Sequence, residues 1–218
     1  MGADEMRRLS GRSRVVVISA LSALVVATGL VVAWGVGVFS SQGEIAAADV
    51  CEQVPNRGEV AKTLHAVLPK VSEYSFDESG GPTDNPRFHY FCLVDGSDGP
   101  LLDMDVRPTS LGDNWKEWEI QAVNDVDALY TRDLSPFPAG EHAVASSRTA
   151  AIADPCFSAD GKAGGGQRFS LTTVVKARKP LRLSDDKARS ALMRLVADLG
   201  RKMHKDAQCD VPSRLTGK

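Results

Sequence analysis

The sequence predicts an α+β protein: an N-terminal transmembrane helix, then an antiparallel sheet packed by helices, arranged as two pseudo-repeated halves that are each stapled by a disulfide. Three observations carry this reading. An uncharged run, residues 15–39, follows a cluster of arginines. All four cysteines fall after that run. The order strand, cysteine, glycine turn, alternating strand is written twice in the remaining chain.

Composition sets the frame. The chain has 218 residues, 43% of them hydrophobic and 25% charged, which is the balance of a globular protein and not of a disordered or collagen-like one. Lys and Arg number 26 against 28 Asp and Glu, so the near-neutral chain lacks the basic excess of a general nucleic-acid binder.

Residues 15–39 form the first element. At about 1.5 Å per helical residue the run reaches ~37 Å, more than the ~30 Å hydrocarbon core, so it spans a membrane with some tilt. Ser19, Ser22 and Thr28 can bond back to helix carbonyls, and Gly29, Gly35 and Gly37 are residues that membrane helices carry readily. Arg7, Arg8, Arg12 and Arg14 precede the run, whereas the next positive residue after it is Arg57, with Glu44, Asp49 and Glu52 in between. Positive flanks stay on the cytoplasmic side. The expected organisation is therefore a cytoplasmic basic tail (1–14), a single-pass signal anchor in the cell membrane (15–39), a linker (40–50) and an extracellular domain (51–218). Cleavage after Ala48 is the alternative, since Ala46 and Ala48 suit a signal peptidase. The apolar run is much longer than the ~7–15 residues of a signal h-region, which favours a retained anchor. Lipid attachment at Cys51 is not expected, because Ala48-Asp49-Val50 lacks the usual apolar and small lead-in.

An even number of cysteines in an exported domain reads as two disulfides. No two of Cys51, Cys92, Cys156 and Cys209 stand at a two-to-four-residue spacing and none has a histidine at the paired spacing of a zinc finger, so no metal site is expected from them. After Cys51, residues 58–68 suit a helix with Val60, Leu64, Val67 and Leu68 on one face, ending before Pro69. Residues 87–94 are aromatic and β-rich and contain Cys92. A turn over 95–100 leads to a second strand over 101–107. There Leu102, Met104 and Val106 face one way and Asp103, Asp105 and Arg107 the other, toward solvent. A third apolar-periodic piece covers 114–130, with Trp115, Trp118, Ile120 and Val123 expected to be buried.

The pattern then recurs. Residues 149–156 end on Cys156, a glycine-rich turn covers 161–166, and in 169–177 Phe169, Leu171, Thr173 and Val175 share a face. A final helix starts after Ser184, an N-cap residue type, with Asp185 and Asp186 in its first turn. Ala188, Ala191, Leu192, Leu195, Val196, Leu199 and Met203 form its apolar stripe, and Arg201, Lys202, His204 and Lys205 crowd its end. Three pairings of four cysteines are possible. The repeat favours Cys51 with Cys92 and Cys156 with Cys209, each tying a helix terminus to a strand of its own half.

This combination of anchor, α+β ectodomain and four cysteines resembles the membrane-anchored or lipid-linked extracytoplasmic domains common in actinobacteria and, more distantly, the sensor domains of their receptor kinases. The resemblance implies a ligand-binding or partner-binding module. No kinase segment and no lipidated cysteine are present, so no signalling residue carries over.

Chemical motifs are sparse. No Gly-x-Ser-x-Gly elbow occurs, and Lys162 is followed by Ala163, not by the Ser or Thr of a phosphate-binding loop. His65, His89, His142 and His204 are scattered, with His65 expected at the surface and His204 as a charge at a helix C-terminus. Asp95, Asp98, Asp103 and Asp105 gather near one hairpin, a hard-cation donor set, though without the spacing of a calcium loop. Trp115 and Trp118 could stack on a sugar, but at helical spacing such a pair is more often core. Charge is uneven: residues 40–175 carry 10 basic and 21 acidic side chains, a net of −11, and 176–218 carry 12 and 5, a net of +7. Lys176, Arg178, Lys179 and Arg182 form a candidate basic patch, unless the halves neutralise each other on folding. The expectation is a binding module of unknown extracytoplasmic ligand or protein partner, with no catalytic residue and no cofactor. An exported hydrolase or a structural envelope protein are the alternatives. Protease added to intact cells is expected to digest the region 51–218, whereas release of a domain beginning at Asp49 into the medium would replace the anchor by a cleaved signal.

Overall fold

In a computed structural model, residues 42–81, 88–110, 115–123, 133–160 and 166–215 are described. The anchor run 15–39, residues 124–130 of the third periodic piece and most of the glycine turn lie outside them. Among the described residues, no helix is long and apolar enough to cross a membrane.

The elements follow in the order α1 (Arg57–Val67), β1 (Tyr74–Gly81), β2 (His89–Gly96), β3 (Gly99–Ser110), α2 (Trp115–Val123), β4 (Ser135–Pro136), β5 (His142–Ala145), β6 (Thr149–Phe157), β7 (Phe169–Ala177) and α3 (Asp185–Asp206). The strands form one antiparallel sheet in the order β1-β2-β3-β7-β6-β5-β4. Two meanders, β1-β2-β3 and β5-β6-β7, thus meet through their third strands. The β2–β3 connection is tight: Gly96 pairs with Gly99 across Ser97 and Asp98, and Gly99 takes a φ of 99° that a side chain would strain.

Alternation in the strands sets two faces. Tyr90, Cys92 and Val94 of β2, Leu102, Met104 and Val106 of β3, Leu171 and Val175 of β7 and Ile152 of β6 join the apolar stripes of α1 and α3 in the main core. The predicted stripe of α3 is buried at every position, Ala188 through Met203. α2 covers the opposite face over β5, β6 and β7, where Trp118, Ala122 and Val123 pack on Val144, Ala151, Ala153 and Val174. This second layer explains why β6 is buried along both faces. Ile120, expected inside, is 47% exposed, because α2 directs positions 118, 122 and 123 at the sheet and position 120 points away from them.

Cys51 is bonded to Cys92 and Cys156 to Cys209, with Cα separations of 6.2 and 4.5 Å, the pairing favoured by the internal repeat. Loops of 41 and 53 residues are closed, each contributing roughly 4 kcal/mol in a chain-entropy account. The repeat is inexact in one respect. α1 lies between Cys51 and its sheet half, so the first staple precedes its helix, whereas the second follows α3.

Several local expectations change. The Ser184 hydroxyl makes no cap bond, and the first turn of α3 is served by the Ser184 carbonyl, which accepts from Ala188 N, and by the charges of Asp185 and Asp186. His65 is half-buried, since Gln42 and Arg182 wrap the end of α1 and both donate to its carbonyl. His204 is buried, with Nε2 2.9 Å from the Pro155 carbonyl, so it is not a surface charge at a helix end. Asp103 is buried instead of solvated.

Glu78 fixes the first staple, its carboxylate accepting from the amides of Glu52 (2.6 Å) and Gln53 (3.0 Å). Beside it the Tyr90 hydroxyl is fully buried and makes no hydrogen bond of ordinary geometry. Burial first, then the Glu78 charge, push its pKa well above the usual phenol range. Tyr90→Phe is therefore expected to leave stability unchanged or raise it by about 1 kcal/mol, read from the denaturant midpoint. A loss of that size would show an effective bond to Glu78.

Candidate ligand groove

α3 presents a second stripe away from the core. Ser190, Met193, Arg194, Ala197, Asp198 and Arg201 recur at steps of three and four residues and form one wall of a groove of about 720 Å³. Phe137, Pro138 and Ala139, between β4 and β5, form the facing wall, and Arg214 with Leu215 closes one end. The volume falls within the range of small-molecule sites.

Each wall is tied down by the sequence around it. Arg189 donates from Nε to the Ala145 carbonyl (3.1 Å) and from Nη2 to the Ser135 carbonyl (3.1 Å), holding α3 to β4 and β5. Gly140 adopts a left-handed φ of 58°, and a Cβ there would lie 2.4 Å from the Ala153 carbonyl oxygen, so only glycine lets this loop close on β6. The end wall depends on the second disulfide. Beyond Cys209, Val211 N donates to the Cys156 carbonyl (3.0 Å) and Asp210 accepts from Ser158 N (2.8 Å). Asp154 then takes the Ser213 hydroxyl and, at 2.9 Å, the Arg214 amide. Leu215 seats on the bare backbone of Gly200, where a Cβ would meet its Cδ1 at 2.9 Å.

The floor is apolar and the rim basic. Arg201 is paired with Asp198, and Arg214 Nη1 stands 3.8 Å from Glu141, which Arg168 also approaches at 3.8 Å. Arg194 is exposed and has neither an ion pair nor a hydrogen bond among the described residues. Three arginines against one aspartate leave the lining net positive.

Asp154, His204 and Ser213 lie together behind the end wall. Their connectivity is not that of a nucleophilic triad, in which histidine must bridge acid and hydroxyl. Here aspartate stands in the middle: the Ser213 hydroxyl donates to it, His204 Nε2 is 3.9 Å from it, and that nitrogen already faces the Pro155 carbonyl. The cluster fastens the chain after Cys209.

The other residues noted in the sequence are dispersed. All four cysteines are in disulfides. Asp103 is held bidentately by Arg178 (2.6 and 3.0 Å), and the Asp98 carbonyl accepts from Lys179. Arg182 donates to the carbonyls of His65 and Ala66. The basic residues of 176–182 are thus engaged internally, and among the described residues α3 presents an exposed, unpaired arginine at position 194. Among the described residues, no group of His, Cys, Asp and Glu is arranged to hold a metal ion. Trp118 is buried, with Nε1 donating to Thr172 (2.9 Å), and Trp115 packs on the His142 ring at 4.8 Å. No known family model, curated protein or solved structure matches the chain.

Asp105 carries the clearest electrostatic perturbation on the face that α2 leaves open. Burial raises its carboxyl pKa, opposed by Arg107, His89 and Lys176 and reinforced by Asp103, and its Oδ1 has no hydrogen bond. The folded state therefore keeps this proton to higher pH than the unfolded chain, so its contribution falls as pH rises from the ordinary aspartate value of about 3.9 through the raised one. Asp105→Asn removes that dependence. Denaturant midpoints between pH 4 and 7 are expected to favour the variant progressively over the parent as pH rises.

Proposed function

We propose that the protein is a membrane-anchored extracytoplasmic binding module, and that the groove between α3 and residues 137–139 is its ligand seat. The observation that carries this reading is the groove itself: an apolar floor of Phe137, Ala139, Met193, Ala197 and Leu215 with a few charged groups at the rim is the composition of a binding site. The two disulfides agree with an oxidising compartment, and hence with the export expected from the arginine asymmetry. The alternative reading as an exported hydrolase has one observation in its favour, the proximity of Asp154, His204 and Ser213. The central position of the carboxylate argues against it.

The test is a thermal-shift screen of the full chain against cell-wall fragments, metal ions and small metabolites. At least one compound is expected to raise the melting temperature, by an amount corresponding to about 2.7 kcal/mol at a hundredfold excess over its dissociation constant. Ala197→Trp, which fills the groove from a half-buried position of α3, is expected to abolish the shift while circular dichroism shows the fold retained. A shift that survives this substitution would move the seat elsewhere, and labelling of Ser213 by a fluorophosphonate would favour the hydrolase.

A further inference from the structure

We infer that the groove selects single-headed amphiphilic anions: a carboxylate or phosphodiester head on one apolar chain. The inference rests on the groove being the ligand seat and adds the class of ligand. Its first support is the state of the three arginines. Arg201 already faces Asp198 on the next turn of α3, and Arg214 shares Glu141 with Arg168. Arg194 has no such counter-charge among the described residues. Three arginines against Asp198 leave the lining about two positive charges, and Arg194 is its one arginine with no carboxylate partner among the described residues, which matches one negative head. A guanidinium also offers the forked donors that carboxylate and phosphate oxygens accept.

The second support is the shape of the apolar part. Met193 and Ala197 lie one turn apart on α3, Phe137 and Ala139 stand opposite, and Leu215 closes the end, so the apolar surface runs lengthwise along the helix. A volume of about 720 Å³, at roughly 30 Å³ per non-hydrogen atom as in liquid water, has room for at most about two dozen such atoms, enough for a chain of about ten carbons with its head. An extended acyl chain fills that space, whereas acetate or inorganic phosphate leaves the apolar walls wet. Arginine at the rim and an apolar floor together specify an amphiphile more closely than either does alone.

The test uses the full chain, in lipid nanodiscs when it purifies with the membrane, and a decanoic acid bearing a diazirine on its chain. Photolabelling followed by peptide mass spectrometry is expected to mark residues 137–139 and 190–201. Unlabelled decanoate should protect, while its neutral counterpart decanamide and the headgroup alone, acetate, should protect at least tenfold less well. Decyl methyl phosphate, a phosphodiester on the same chain, should protect like decanoate. Arg194→Ala should raise the decanoate concentration needed for protection about tenfold and leave decanamide unchanged, since loss of a charge-assisted hydrogen bond corresponds to a factor of that order. Arg194 is a surface position, so this variant keeps the fold, and circular dichroism checks it.

Equal protection by decanoate and decanamide, unaffected by Arg194→Ala, would overturn the anion selectivity and leave the groove as a neutral apolar seat. Labels placed outside both walls would overturn the seat as well. Labelling that declines as the protein is concentrated, without protection by decanoate, would assign the groove to a second copy of the chain and overturn the inference.

Discussion

The pairing of β3 with β7 is the constraint on which the rest of this structure depends. Nine residue pairs, from Leu102 with Ala177 to Ser110 with Phe169, join two meanders that are otherwise complete in themselves. The ladder unites residues some sixty to seventy-five positions apart, so its backbone bonds form only after a long stretch of chain has been ordered. Side chains then reinforce it on the outer face. Arg178 leaves the end of β7, grips Asp103 with both forks, and its amide donates to the Leu101 carbonyl. Without that ladder the two disulfides would staple two separate hairpins, and α3 would have no continuous surface to cover.

Much of this architecture was legible because the period of the apolar residues was clean. Leu102, Met104 and Val106 alternate without interruption, and the α3 stripe runs unbroken from Ala188 to Met203, so each announces both an element and a face. The cysteine pairing was legible for a related reason, since two hairpins of the same design place Cys92 and Cys156 in matching strands. Ile120 misled because a short helix packed by one side on a sheet buries fewer positions than its apolar content suggests. β1 and β5 carried too few apolar residues to declare themselves: β1 is an edge strand with several exposed positions, and β5 has four residues.

The groove was illegible in sequence for a different reason. Its walls come from three segments separated by tens of residues, and no local pattern joins Phe137 to Met193 or Leu215. One signal was present: the basic excess after residue 175. Its first cluster, Lys176 to Arg182, proved to be engaged with Asp103, the Asp98 carbonyl and the end of α1. Further along, α3 carries positive charge of its own, where an i, i+4, i+7, i+11 count from Ser190 would have collected Arg194, Ala197 and Arg201. The trio of buried Asp154, buried His204 and exposed Ser213 shows the complementary lesson. Residue types associated with hydrolysis here fasten a chain segment, and only the order in which they touch distinguishes the two roles.

The end wall of the groove carries an implication for biogenesis. Arg214 and Leu215 come later in the chain than every described strand and helix, and they reach their positions through Cys209, Asp154 and Gly200. A ribosome-bound or truncated chain that stops short of them can lay down the sheet and close its first cystine, yet it offers an open-ended trough. The end wall is therefore present only in a chain that extends through Leu215.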